Sequence, residues 1–144
     1  MPQRAVRNII GNRHALAASA GTTVLEAARL MQKSGYGAIA VVESGRLVGI
    51  FTDRDALSRV IVAARDPAAT CLAEVMTPNP RTIDPDQPFA HALHLMYEGG
   101  FRHVPVVENE RFVGMVSARD ALGPEVREFI GELDLREHIG EILG

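Results

Sequence analysis

Two short runs of this chain carry side chains suited to a phosphorylated sugar: Thr52-Asp53-Arg54-Asp55 and Ser117-Ala118-Arg119-Asp120. In each, a hydroxyl stands three residues before a carboxylate, and an arginine directly precedes the acid. A hydroxyl can donate to an anion, and a guanidinium adds a full charge in a forked geometry. The carboxylates of Asp55 and Asp120 can accept from two vicinal hydroxyls, such as those of ribose. Each run also lies where a β-rich stretch gives way to a helical one. The first turn of such a helix offers unpaired N–H groups and a partial positive charge to an anion. The same Ser/Thr-x-x-Asp spacing is equally a helix-capping arrangement, in which the acid satisfies backbone N–H groups of its own helix. Both readings stand at this point.

A duplication positions the two runs. Shifting the sequence by 65 residues aligns Leu16–Leu57 with Arg81–Leu122 without a gap. Identical pairs include Ala27/Ala92, Met31/Met96, Gly35/Gly100, Val41/Val106, Glu43/Glu108, Gly49/Gly114, Arg54/Arg119 and Asp55/Asp120. Within each copy, apolar residues recur at helical spacing: Val24, Ala27, Ala28 and Met31, then Phe89, Ala92, Leu93 and Met96. Thr23 with Glu26 predicts a capping box for the first of these helices; Asp86 is the expected cap of the second, with Pro88 in its first turn. Gly35 and Gly100 fall where a helix end favours a left-handed residue. Two β-rich runs follow, Ala38–Glu43 and Arg46–Thr52, joined by Ser44-Gly45. Their equivalents are His103–Glu108 and Arg111–Ser117, joined by Asn109-Glu110; two turn residues between strands predict hairpins. A second helix then begins at Asp53 and at Ala118.

The expected fold is therefore α/β (α+β), with two tandem β-α-β-β-α repeats packed about a pseudo-two-fold axis and a C-terminal helix. Units this small need each other's surfaces to complete a core. The sequence divides into a first repeat with its N-terminal segment (1–67), a connector (68–78), a second repeat (79–123) and an amphipathic tail (124–144). The tail places Val126, Phe129, Ile130 and Leu133 on one helical face, a stripe that needs a partner surface.

The duplicated Gly-apolar-apolar-Thr/Ser-x-Arg-Asp string, preceded by a hairpin, resembles the cystathionine-β-synthase (CBS) domain family. The stretches Gly100-Phe101-Arg102-His103-Val104-Pro105-Val106-Val107 and Gly114-Met115-Val116-Ser117-Ala118-Arg119-Asp120 are especially close, and Glu74-Val75-Met76-Thr77-Pro78 looks like the usual entry to a second copy. The resemblance covers about residues 8–123. It implies a non-catalytic regulatory module with up to two clefts for an adenosyl ligand: AMP, ADP or ATP, with NAD and S-adenosylmethionine as alternatives. It also implies a homodimer that signals to a separate effector protein or through oligomer rearrangement. A docking or dimerisation module without a ligand is the competing reading.

On this resemblance, one site comprises Thr82, Ile83, Arg102, His103, Val104, Pro105, Ser117, Arg119 and Asp120. Val104-Pro105, with Thr82 and Ile83, would line a flat apolar slot for adenine; Pro105 lacks an N–H and suits a strand edge facing a cleft. Arg102 and His103 would reach phosphates. A second site comprises Ala17, Ala38, Ile39, Thr52, Arg54 and Asp55. There Ala17 replaces the Thr82 hydroxyl and Ala40 replaces Pro105, so the Asp120 copy is the favoured site.

Composition narrows the alternatives. Apolar residues make up 47% of the 144 residues, charged residues 23%, and the net charge is −3, which disfavours non-specific nucleic-acid binding. No apolar run approaches the roughly 18 residues of a membrane span. The arginine-bearing N-terminus lacks the apolar stretch of a secretory signal. The single cysteine, Cys71, cannot form an internal disulfide, and a cytoplasmic setting is expected. His91 and His94 have a metal-compatible spacing, but nothing in the sequence completes a ligand set. No catalytic constellation is evident.

Overall fold

The computed structural model describes residues 4–123, 131–133 and 135–136. The tail stripe at Val126, Phe129 and Ile130 lies outside the described residues.

The two copies form as the sequence predicts. In the first, β1 (Ala17–Ala18) leads into α2 (Val24–Ser34), which follows a short N-terminal helix, α1 (Val6–Ile10). Thr23 Oγ1 accepts from the Glu26 N–H at 3.2 Å, and Gly35 ends α2 in the left-handed region at φ 72°. The hairpin of β2 (Ala38–Glu43) and β3 (Arg46–Thr52) turns at Ser44 (φ 52°) and Gly45 (φ 79°). Two consecutive left-handed residues match the right-handed twist of the flanking strands. After β3, a single turn, α3 (Asp53–Asp55), continues as a π-helical segment, Ala56–Ile61.

The second copy repeats this course. Helix α5 (Phe89–Gly99) is followed by β5 (His103–Glu108), β6 (Arg111–Ser117) and a 3-10 helix, Ala118–Leu122. Its hairpin turns at Asn109 and Glu110, with φ of 50° and 66°. Asp86 does not cap α5: Pro88 takes that position, and Asp86 instead pairs with Arg7 Nε at 3.0 Å. The first sheet runs β1-β2-β3-β4, its last strand β4 being Thr77–Pro78, with Ala18 parallel to Val41. The equivalent parallel pairing in the second copy is a single bridge, Ile83 to Val106.

The copies exchange their leading segments. Between them lie α4 (Leu72–Val75) and β4 (Thr77–Pro78), which introduce the second copy in sequence. Yet β4 pairs with β3, and Leu72 and Val75 are buried with Val24, Ile39, Val41 and Phe51 in the first core. Conversely, Val6 and Ile10 of α1 are buried in the second core, with Ile83, Phe89, Val104 and Val116. A glycine receives each crossing segment. A Cβ on Gly114 would stand 3.0 Å from Ile10, and one on its equivalent, Gly49, would collide with the Met76 side chain. Residues 1–67 are thus contiguous in sequence, but their first helix packs on the other copy.

Candidate functional site

The crossing creates two related clefts between the copies, each of about 350 Å³, within the size range of small-molecule sites. The Asp55 cleft is walled by Thr52–Asp55 of the first copy, by Asn79–Arg81, and by Gly99–His103 of the second copy. The Asp120 cleft is walled by Ser117, Arg119 and Asp120, by His14–Leu16, and by Ser34–Ala38 of the first copy. Each of these wall segments has its counterpart 65 residues away. Each acid therefore faces the helix-to-strand turn of the opposite copy.

The groups read from the sequence are consequently redistributed. Arg102 and His103 join Thr52, Arg54 and Asp55, while Ala38 joins Ser117, Arg119 and Asp120; His103 reaches the walls of both clefts. The slot expected from Thr82, Ile83, Val104 and Pro105 lies outside both walls. Ile83, Val104 and Pro105 are buried, and the Pro105 carbonyl accepts from the Ile83 N–H at 3.1 Å, so these residues form core and strand pairing. Thr82 and Ala17 are exposed, and Ile39 is buried in the first core. Apolar surface comes instead from Ile50, Pro80 and Phe101 in one cleft, and from Met115, Leu16 and Tyr36 in the other.

The lead-in segments Asn79–Arg81 and His14–Leu16 were not among the expected site residues. They match in position but share no identity, and the gap-free repeat reaches only their last pair, Leu16 with Arg81. Extending the 65-residue offset upstream of Leu16 is the step that would have found them.

Both acids close capping boxes, so the structural reading of Ser/Thr-x-x-Asp holds at both corners. Asp55 Oδ2 accepts from the Thr52 N–H at 3.0 Å, and Asp120 Oδ2 accepts from the Ser117 N–H at 2.8 Å. The amides expected to meet an anion already have partners in the first copy. The Asp53 N–H donates to the Gly37 carbonyl, the Arg54 N–H to Asp53 Oδ1 and the Asp55 N–H to Thr52 Oγ1. The Ala118 N–H likewise donates to the Arg102 carbonyl. An anion in the Asp55 cleft must therefore rely on side-chain cations.

Capping uses one carboxylate oxygen and leaves the other. Among the described residues, Asp55 Oδ1 has only long contacts: the Thr77 hydroxyl at 3.4 Å and Arg59 Nε at 3.8 Å. Asp120 is more tightly held. Arg13 Nη1 donates to Oδ1 and Nη2 to Oδ2, both at 2.9 Å, and Nη2 also reaches the Met115 carbonyl at 2.9 Å. Burial by itself would raise the Asp120 carboxyl, but Arg13 and the Ser117 N–H outweigh it and hold the group below its ordinary 3.8.

The cations of the Asp55 cleft are partly engaged across the copies. Arg54 Nη1 donates to the Gly100 carbonyl at 2.9 Å, and Arg102 Nη2 pairs with Asp53 Oδ1 at 3.1 Å. His103 is held below its ordinary 6.5 by burial and by the neighbouring Arg102 charge. Arg119 has no ion-pair partner among the described residues.

Comparison with known proteins agrees with this architecture. A family model described as the CBS domain matches residues 6–62 and 72–123. The CBS domain-containing protein CBSX3 of Arabidopsis thaliana, described as mitochondrial, is 34% identical over 116 residues, 77% of this chain; the chain spans only 56% of that relative's length. A CBS-domain protein from Burkholderia ambifaria superposes with a TM-score of 0.79 at 28% identity, covering 86% of this chain and 95% of the other. The CBS domain pair of protein MJ0100, solved with 5′-methylthioadenosine and S-adenosyl-L-methionine, gives 0.75 at 28% identity, covering 91% and 99%. A two-copy match over most of the chain, borne by a structure in which each copy completes the other's core, makes this chain a member of the CBS domain family.

Proposed function

We propose that the chain is a non-catalytic sensor whose inter-copy clefts bind an adenosyl ligand, foremost an adenine nucleotide: AMP, ADP or ATP. CBS domain pairs are regulatory modules, and the MJ0100 pair was solved with adenosyl ligands. The observation that carries the reading is the second oxygen of Asp55. Asp55 lines a cleft that also holds Arg54, Arg81 and Arg102, with Ile50, Pro80 and Phe101 as apolar surface. That set suits ribose hydroxyls, phosphates and a base within one cavity. The Arg13 ion pair reverses the preference drawn from sequence and makes the Asp55 cleft the readier site.

Ligand wedged between copies favours one mutual arrangement over others, by its differential affinity for them. The signal would pass through a homodimer or to an effector protein, in a cytoplasmic setting. No helix among the described residues is long and apolar enough to cross a membrane.

Both capping boxes are complete without ligand, which favours a docking module as the second reading. Thermal unfolding with AMP, ADP, ATP, NAD and S-adenosylmethionine separates the two. A ligand at one hundred times its Kd stabilises the native state by about 2.7 kcal/mol, roughly a 5–12 °C rise for this size. Absence of a shift with every compound supports the docking module.

A further inference from the structure

We propose that Arg13 is a specificity-determining residue: it restricts the Asp120 cleft to nucleoside phosphates, while the Asp55 cleft also admits uncharged nucleosides. The inference rests on the adenosyl-binding reading and concerns how the two clefts differ.

The acids themselves are equally enclosed, with side-chain exposures of 13% for Asp55 and 15% for Asp120. What differs is the residue across from them. Arg13 spans both Asp120 oxygens and the Met115 carbonyl, so a sugar diol approaching this acid meets a charge-assisted donor already on each oxygen. Its equivalent 65 residues on is Pro78, which has no side-chain donor. Asp55 Oδ1 instead meets the Thr77 hydroxyl at 3.4 Å and Arg59 Nε at 3.8 Å, contacts too long to compete with a well-placed ligand hydroxyl.

A neutral nucleoside entering the Asp120 cleft has to break a bidentate ion pair and leaves the guanidinium without a counter-charge. A nucleoside phosphate changes that balance. The phosphate carries more negative charge than the carboxylate and three acceptor oxygens, so Arg13 exchanges one anion for another. The Arg13 side chain is 39% exposed and has room to swing. Arg119, on the same wall and without an ion-pair partner among the described residues, adds charge for the same phosphate. The cleft thus senses the phosphate by whether Arg13 leaves the acid.

Isothermal titration in an Asp55→Ala background isolates the Asp120 cleft. The probes are AMP and the uncharged 5′-methylthioadenosine, against Arg13, Arg13→Gln and Arg13→Lys. With Arg13 present, AMP is expected to bind at least tenfold more tightly than 5′-methylthioadenosine. Arg13→Gln is expected to strengthen 5′-methylthioadenosine binding roughly two- to fivefold, the range of a partly exposed ion pair, and to weaken AMP. Arg13→Lys keeps the charge but not the fork and is expected to fall between. Should the AMP preference be the same in all three proteins, Arg13 does not set specificity and this inference alone is overturned. Should neither probe bind any of them, while AMP binds the protein with Asp55 intact, the Asp120 cleft is not a ligand site and the inference also fails. If AMP, ADP, ATP, NAD and S-adenosylmethionine all fail to bind the protein with Asp55 intact, the adenosyl-binding reading fails with it.

Discussion

The Asp55 and Asp120 clefts hold a hydroxyl, an arginine and an acid at equivalent positions, yet their acids are in different states. Asp55 keeps an oxygen with only long contacts, whereas both oxygens of Asp120 are spanned by Arg13. The corners are constrained in the same way, because each acid caps the helix that follows its strand. The difference at the acid's oxygens traces to the segment arriving from the other copy, which carries Arg13 at one corner and Pro78 at the other. A duplicated fold can thus keep the same capping acid at two corners and give it different chemistry through one crossing residue.

Emptying the core beneath a crossing segment should move this comparison most. Leu72 is fully buried in the first core, and Leu72→Ala should cost about 2–5 kcal/mol of stability by chemical denaturation. It should also loosen β4 and so weaken ligand at the Asp55 cleft more than at the Asp120 cleft. Equal weakening at both would break the link between crossing and cleft. Next in size, Asp55→Ala should cost about 1–3 kcal/mol of ribonucleotide affinity, the loss of charged hydrogen bonds. Asp120→Ala should cost less, because its acid must first surrender Arg13. The reverse order would restore the preference drawn from sequence.

The smallest effects are pH-dependent. Asp120 has a native pKa below 3.8, so its contribution to stability is complete above that value and is lost as pH falls through the native pKa. Asp120→Asn should therefore flatten the acid limb of a stability-against-pH curve. His103 behaves oppositely, since its native pKa lies below 6.5. The unfolded chain takes up that proton first, so the native state loses stability as pH falls below 6.5. His103→Asn should remove this loss, and an unchanged slope would mean that burial does not hold His103 neutral.

Much of this was legible in the sequence because local rules and the repeat agreed. Thr23 with Glu26, Gly35, Gly100 and the two-residue turns act over a few residues and formed as expected. The exchange of leading segments was not legible, since it depends on packing between residues far apart in sequence. Only the paired glycines Gly49 and Gly114 hinted at close approach. The expected base slot lies outside both cleft walls, for a related reason. In β2 and β5 consecutive residues are buried, Ala38–Val41 and Val104–Val106, so no alternation marks which side chains face a cleft. The corner amides misled because their partners, the Gly37 and Arg102 carbonyls, lie in the helix-to-strand turns, beyond the reach of a local pattern.

The central claim is that the oxygen left over by capping at Asp55 takes a ribose. Isothermal titration of AMP, ADP, ATP, NAD and S-adenosylmethionine into the native protein and Asp55→Ala tests it directly. The account predicts binding of at least one compound, with affinity falling roughly tenfold or more in the variant. Identical affinity and stoichiometry in the two proteins, or no binding of any compound to the native protein, would contradict it.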